Sequence, residues 1–217
     1  MEHVNRTYLP AAGHDWALPL YDPFVKLLGG DKARQALIAQ AAPPVVGRVL
    51  DVGCGTGRLA VLLKQLHPQV HMVGLDPDPK ALRRAGRKAK RASVSIQFDQ
   101  GSADTLPYPD ASFERVFSSF MFHHLRPDQR PKILQEVSRV LVPGGSFHLL
   151  DFERPEEAGF FARLLYSNHH LDDSLEQRII ALFRQAGFAS GKKIRTGALL
   201  FGLLRMGYYR ANVIETA

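Results

Sequence analysis

Residues 49–60, VLDVGCGTGRLA, decide the fold. The apolar run RVLDVG (48–53) ends in glycine and reads as a buried strand. Leu59, Leu62, Leu63 and Leu66 follow at helical spacing and predict a helix over 57–67. Between the two, Gly53, Gly55 and Gly57 let the backbone turn tightly and let a ligand approach it. The first amides of the helix are free to donate to that ligand. A dinucleotide fingerprint needs glycine where this chain has Arg58, and no Lys-Ser/Thr pair follows for a P-loop, so both readings fail. The acid inside the strand, Asp51, also departs from the dinucleotide pattern.

Outward from that segment, VHMVGLD (70–76) reads as a second strand and 78–92 as a helix. VSIQFD (94–99) and FERVFSSF (113–120) read as the third and fourth strands. A helix over 128–141 carries Ile133, Leu134, Val137, Val140 and Leu141 on one face, and Pro143, Gly144 and Gly145 are expected to stop it. SFHLLDF (146–152) is the fifth strand, followed by a helix from a Ser174 cap to Gly187. Two extended stretches, about 189–196 and 198–210, finish the chain. No helical pattern separates them, so they can only pair as a hairpin, with one strand antiparallel. The fold class is therefore α/β: a Rossmann-like, doubly wound, seven-stranded sheet, mostly parallel, with one antiparallel strand near the C-terminus. Residues 1–46 are expected to form an N-terminal helical lid segment, with helices over 22–28 and 31–41. Residues 47–217 form the main domain, and the whole reads as a single domain.

The chain has 217 residues, 45% hydrophobic and 23% charged, enough for a full core and unlike a disordered or fibrous chain. The single cysteine, Cys54, excludes an intramolecular disulfide framework and suits a reducing, cytoplasmic location. The start, MEHVNR, has no apolar leader pattern, and no apolar run approaches the roughly 18 residues of a membrane span. The net charge of +7 is concentrated. KALRRAGRKAKRA (80–92) holds seven of the 28 basic residues and no acid, leaving 21 basic against 21 acidic elsewhere. Such a segment could meet RNA, an anionic substrate or an anionic membrane surface. It has no interleaved aromatics, and the preferred reading is a solvated helix face running away from the ligand crevice. Asp76 stands nineteen residues after Gly57, at a strand end. A carboxylate there can take both hydroxyls of a ribose, or cap the helix that Pro77 and Pro79 begin.

Taken together, these segments resemble the class I S-adenosylmethionine-dependent methyltransferases, from about Tyr21 to the C-terminus. The group they are most similar to includes the ubiquinone/menaquinone-biosynthesis C-methyltransferases. VLDVGCGTG, VGLDPDPKAL, GSADTLPYPDASFERV, EVSRVLVPGGSFHLLDF, QAGF and TGALLFGLLRMGYYRA carry the likeness. The resemblance implies S-adenosyl-L-methionine as cofactor and S-adenosyl-L-homocysteine as its product. It implies that Asp51, Gly53, Cys54, Gly55, Thr56 and Gly57 line the methionine and ribose side. Asp76 would take the ribose hydroxyls, Pro77 would touch the adenine, Ser102 and Ala103 would lie at the adenine edge, and Ser119 would contact the cofactor after strand four. Ser102 stands where the group usually has Asp or Asn. A neutral hydroxyl is a weaker acceptor than a carboxylate, so Asp104 is a second candidate for that contact. Tyr21 matches a Tyr-Asp in the helix that covers the cofactor in this group.

Methyl transfer asks the protein to place the nucleophile and exclude water, and asks for a base only if the acceptor enters protonated. The candidate catalytic residues are His123 and His124, directly after strand four, and His169, beside His170. No metal is expected, because adjacent histidines do not easily chelate one ion. Asp151, Glu153, Glu156 and Glu157 read as solvated acids. The expected function is methylation of a small-molecule acceptor, quinol-like or phenolic, on oxygen or carbon. One alternative is an RNA or protein methyltransferase using 80–92; another is a non-catalytic cofactor-binding module. After strand four the chain reads SSFM, without the Pro-Pro motif of amino-methylating enzymes, and the only cysteine lies in the glycine loop. The intact glycines and Asp76 argue against a non-catalytic module.

Overall fold

The computed structural model describes residues 29–153, 175–199 and 204–215. The chain runs α1 (Gly30–Ala41), β1 (Arg48–Val52), α2 (Arg58–Leu66), β2 (His71–Asp76), α3 (Pro79–Arg91), β3 (Gln97–Gln100), β4 (Phe113–Ser119), α4 (Arg130–Val140), β5 (Leu141–Glu153), α5 (Leu175–Gln185), β6 (Ser190–Leu199) and β7 (Leu204–Asn212). A short 3-10 turn, Phe122–His124, follows β4. The strands form one sheet in the order β3-β2-β1-β4-β5-β7-β6. β1 is parallel to β2 and β4, and β4 to β5, while β7 runs antiparallel to both β5 and β6. This is the mostly parallel seven-stranded sheet expected from the sequence. The expected helix over 22–28 lies outside the described residues.

The strand order reverses between β1 and β4, where the chain returns from the outer strand β3 to the other flank. In open α/β sheets ligands bind at the carboxyl ends of the strands beside such a switch point. β1 is covered on both faces, which is why it reads as a continuous apolar run. Leu50 and Val52 pack with Ile133, Leu134 and Val137 of α4 and Phe183 of α5. Val49 packs on the opposite side with Leu37 and Ile38 of α1 and Leu59 and Leu63 of α2. Each such side chain contributes on the order of 1.5–3 kcal/mol by leaving water.

Several boundaries differ from expectation for identifiable reasons. β3 begins at Gln97 rather than Val94, because the Val94 amide still donates to Ala89 O at 3.1 Å in the turn that closes α3. α4 ends at Val140, and the chain extends from Leu141 (ψ 135°), ahead of the expected Pro-Gly-Gly stop. Pro143 disfavours a helical Val142, so the break is transmitted backwards. The terminal hairpin is displaced: β6 reaches Leu199 and β7 starts at Leu204, paired as Leu199 with Leu204 and Ser190 with Asn212.

α3 lays Ala81, Ala85 and Ala89 against the sheet at helical spacing. That small stripe seats the glycine loop. A Cβ on Gly57, whose φ is +71°, would lie 2.8 Å from Ala85 Cβ. Asp78, not Asp76, caps α3, its side chain accepting from the Lys80 amide at 2.8 Å.

Candidate functional site

The loop after β1 is fastened to β2. The amides of Gly53 and Cys54 donate to Leu75 O at 2.8 and 3.0 Å. The Gly55 amide donates to Asp76 Oδ2 at 2.8 Å, and the Asp78 amide to Asp76 Oδ1 at 2.9 Å. Burial raises the Asp76 carboxyl above its ordinary range, and those two amides partly oppose the rise. Gly53 has φ +70°, and a Cβ there would lie 2.3 Å from Met121 Cγ and 3.0 Å from Met121 Cβ. The obstruction is at the root of the Met121 side chain, so a change of its far rotamer does not relieve it. Gly53→Ala is therefore expected to lower stability by about 2–4 kcal/mol, from left-handed strain plus overpacking. A thermal melt checks this, and an unchanged midpoint would contradict the packing.

Thr56 is buried, and its hydroxyl accepts from Lys88 Nζ at 2.9 Å. This corrects the reading of α3 as a basic face remote from the glycine loop. The alanine stripe brings the helix near enough for one long side chain to reach the loop. Arg83, Arg87, Lys90 and Arg91 remain exposed. Cys54 is a buried free thiol, pushed up by burial and by the negative charges of Asp51 and Asp76.

Asp51, at the end of β1, is 1% exposed, and neither carboxylate oxygen has a hydrogen-bond partner. Burial drives its pKa up to about 8; the Arg34 charge opposes the rise, Asp76 adds to it, and the Ala60 amide faces the carboxyl without closing a hydrogen bond. An orphaned buried carboxyl beside a glycine loop awaits a cationic or donor group. Asp31 fastens α1 to this corner, accepting from Arg58 Nε at 2.8 Å at the first residue of α2.

On the β2–β3 side, Ser102 is exposed, and Ala103, Asp104 and Pro77 are half-buried. Asp104 Oδ2 stands 4.0 Å from Lys132 Nζ, an exposed pair of little energetic weight. Ser119 is half-buried at the end of β4. Its neighbour Phe120 is buried with φ +56°, a left-handed backbone that an aromatic residue rarely adopts. Strain of this kind concentrates at functional sites.

The 3-10 turn then presents two histidines. His123 is buried, with Nδ1 2.6 Å from Asp151 Oδ1, while its own amide donates to Asp151 Oδ2 at 2.8 Å. Burial alone would raise Asp151; the His123 ring and the amides of Phe152 and His123 reverse that and hold it below its usual range. An ionised carboxylate only accepts, so it fixes the donor hydrogen on Nδ1 and leaves Nε2 as the basic nitrogen. The rings of His123 and His124 lie 4.0 Å apart. His148 is different. It sits inside β5, is pushed down to about 3 by burial and by Arg210 and Arg115, and bonds Ser146 Oγ at 2.9 Å. It is a neutral core residue. His169 and Tyr21 lie outside the described residues.

Asp151 is thus no solvated acid, and Glu153 is held by Tyr209 and by Lys193 Nζ at 2.9 Å. Among the described residues no group of three or more His, Cys, Asp or Glu is arranged to hold a metal. Nor is any helix among them long and apolar enough to cross a membrane. The site thus gathers Asp51, Asp76, Ser119 and the His123–Asp151 pair at the carboxyl ends of β1, β2, β4 and β5. Sequence reasoning missed Arg34, whose signal was a cation within the apolar stripe of α1. It also missed Asp151 as partner of His123, which only strand pairing reveals.

A family model described as a methyltransferase domain matches residues 49–145. The demethylmenaquinone methyltransferase of Deinococcus radiodurans is 36% identical over 215 residues, spanning 87% of this chain and 86% of that protein. The ubiquinone/menaquinone biosynthesis C-methyltransferase of Syntrophotalea carbinolica is 33% identical over 178 residues, 77% of this chain and 73% of that protein. Among solved structures, a SAM-dependent methyltransferase of Thermotoga maritima, titled a possible histamine N-methyltransferase, superposes with a TM-score of 0.68 at 20% identity. The match covers 92% of this chain and 99% of that one, a likeness of fold.

Proposed function

The chain belongs to the class I S-adenosylmethionine-dependent methyltransferases of the ubiquinone/menaquinone group, and from that premise we propose that it methylates a quinol-type small molecule. The relatives named for demethylmenaquinone support this acceptor class. The observation that carries the chemistry is the buried His123–Asp151 pair at the carboxyl edge of β4 and β5.

The residues present fit the cofactor, since Asp51 offers an orphaned carboxyl and the glycine loop is a backbone cradle that a Cβ would fill. S-adenosyl-L-methionine supplies a methyl group on a sulfonium sulfur and leaves as S-adenosyl-L-homocysteine. In this reading Gly53, Cys54, Gly55, Thr56 and Gly57 hold the loop side. Asp76 takes the ribose hydroxyls, Pro77, Ser102, Ala103 and Asp104 form the adenine side, and Ser119 closes the β4 side. Residues 1–46, Tyr21 among them, cover the site. His123 accepts the proton of an acceptor hydroxyl on Nε2, and Asp151 keeps Nδ1–H pointed at itself, which raises electron density on the acceptor ring or oxygen. His124 and His169 line the acceptor side. A cytoplasmic location belongs to the same reading, in keeping with the free thiol of Cys54. An RNA or protein acceptor is not favoured, since the relatives named above are quinone-group methyltransferases.

The test is an assay of S-adenosyl-L-homocysteine release with a panel of demethylated quinols, with the product located by mass spectrometry. Turnover of a quinol above a peptide or RNA control supports the reading, and turnover only with a macromolecule overturns it. In a separate calorimetric measurement, Asp76→Ala is expected to weaken cofactor binding roughly 10- to 100-fold. Unchanged affinity would remove Asp76 from the ribose.

A further inference from the structure

Behind the His123–Asp151 pair lies a second buried acid. Asp151 and Glu153 are two residues apart in β5 and so share one face of the sheet. Both are buried, at 2% and 7% exposure. Asp151 stands opposite Gly207 of β7, and Glu153 opposite Arg205. The Glu153 side chain bends back along the strand. A Cβ on Gly207 would lie 2.3 Å from Glu153 Oε1 and 2.4 Å from Tyr209 Cε2. Opposed Cβ positions in antiparallel strands are about 4.5–5.5 Å apart. The Glu153 carboxyl therefore fills the space beside Asp151 that any residue but glycine at 207 would take.

Two neighbouring buried carboxylates repel, and each favours a proton on the other. Asp151 is satisfied by His123 and by backbone amides. Glu153 accepts from the Tyr209 hydroxyl, and Lys193 Nζ of β6 stands 2.9 Å from its Oε2. Burial alone would lower the Lys193 ammonium; Glu153 and Glu176 reverse that and hold it above its ordinary range. Lys193 also reaches Glu176 Oε2 of α5 at 3.0 Å, a half-exposed partner of less weight. The other charged or titratable groups toward this corner are three. Arg205 faces Glu153 in register, the His124 ring lies 4.0 Å from that of His123, and the Arg130 guanidinium lies 5.4 Å from the centre of the Phe122 ring. We propose that Lys193 is a positioning residue for the base: it cancels the charge of Glu153, so that Asp151 is the only uncompensated carboxylate beside His123. This rests on the reading of His123 as base given above. Lys193 bonds neither His123 nor Asp151 and acts through Glu153.

The experiment follows the His123 ring signals by NMR as pH is varied, in the ligand-free chain. Wild type, Lys193→Met, Glu153→Gln and the double variant are compared, with His123→Asn assigning the signals. Methionine keeps the apolar stem of Lys193, and glutamine keeps an acceptor for Tyr209. A thermal melt of each variant checks the fold. Lys193→Met leaves the Glu153 charge uncompensated, which favours the imidazolium, and is expected to move the His123 titration up by about 0.5–1 pH unit. Glu153→Gln removes a negative charge and is expected to move it down by a similar amount. The double variant restores the wild-type charge balance and is expected to return to within about 0.3 pH unit of wild type. The acid limb of kcat/KM for a 2-prenyl-1,4-naphthoquinol should move with the titration, since that limb reports the base of the free enzyme. A purely structural tie between β5, β6 and α5 predicts lowered melting temperatures with an unmoved titration. That result would overturn the proposal, as would shifts of the same sign in the two single variants. A titration that moves as expected while the limb stays, or while no quinol is turned over, upholds the charge pairing and overturns the reading of His123 as base, a distinct outcome.

Discussion

His123→Asn is expected to lower turnover of a quinol acceptor by about 10²–10⁴-fold, the usual contribution of a positioned general base. Affinity for S-adenosyl-L-homocysteine should stay within about twofold, because the loss falls on the proton-transfer step rather than on cofactor binding. Asp151→Asn should reproduce most of that loss. The amide NH2 of asparagine can donate to Nδ1, where the carboxylate only accepts. The ring would then carry its hydrogen on Nε2, the nitrogen needed as base. The two substitutions should not add. The double variant is expected to be no slower than the worse single variant, because both remove one function. A purely structural role for Asp151 predicts a different pattern, with a lowered melting temperature, weakened cofactor binding and an additive loss of turnover. Steady-state kinetics on the three variants separates the two.

The fold was legible because strand and helix alternate around a glycine loop whose context is specific. RVLDVG can only be a strand covered on both faces, and the leucines after Gly57 can only be a helix. What failed to show were features set by long-range register. His123 meets Asp151 because β4 and β5 are parallel with Ser119 opposite Leu150, and no local pattern states that pairing. Arg34 lies over the Phe120 ring across a sequence gap that four strands and two helices must bridge. The break after α4 was visible in Pro143, but its reach back to Leu141 depends on the restriction that proline places on its predecessor. Lys88 was hidden because a basic run read as one solvated face, whereas the alanines beneath it bring one of its cations within 2.9 Å of Thr56.

Cofactor affinity is expected to depend on pH through Asp51. In the ligand-free protein burial holds this carboxyl near 8, despite the opposing Arg34 charge, with Asp76 adding to the rise. Below that pH the group is protonated, and if Asp51 lines the methionine side as proposed, facing the ammonium of the ligand's amino-acid end requires the proton to leave. Affinity for S-adenosyl-L-homocysteine should therefore climb about tenfold per pH unit from about pH 6 to about pH 8, then level off, with close to one proton released per ligand at the lower end. Calorimetry in buffers of different ionisation enthalpy counts that proton directly. Asp51→Asn should flatten the slope, and at pH 8 weaken binding by about 2–5 kcal/mol, the usual loss when one partner of a buried charge pair is removed. The same shift acts on ligand-free stability with the opposite sign. A carboxyl raised on folding keeps a proton that the unfolded chain has lost above about pH 4. The native state therefore loses stability relative to Asp51→Asn as pH rises toward 8, by up to about 1.4 kcal/mol per unit. Melting temperatures of the two proteins, compared from pH 5 to 8 without ligand, should converge or cross in that direction. A constant difference, together with a flat affinity profile, would mean that Asp51 is ionised in the empty site and already has a partner.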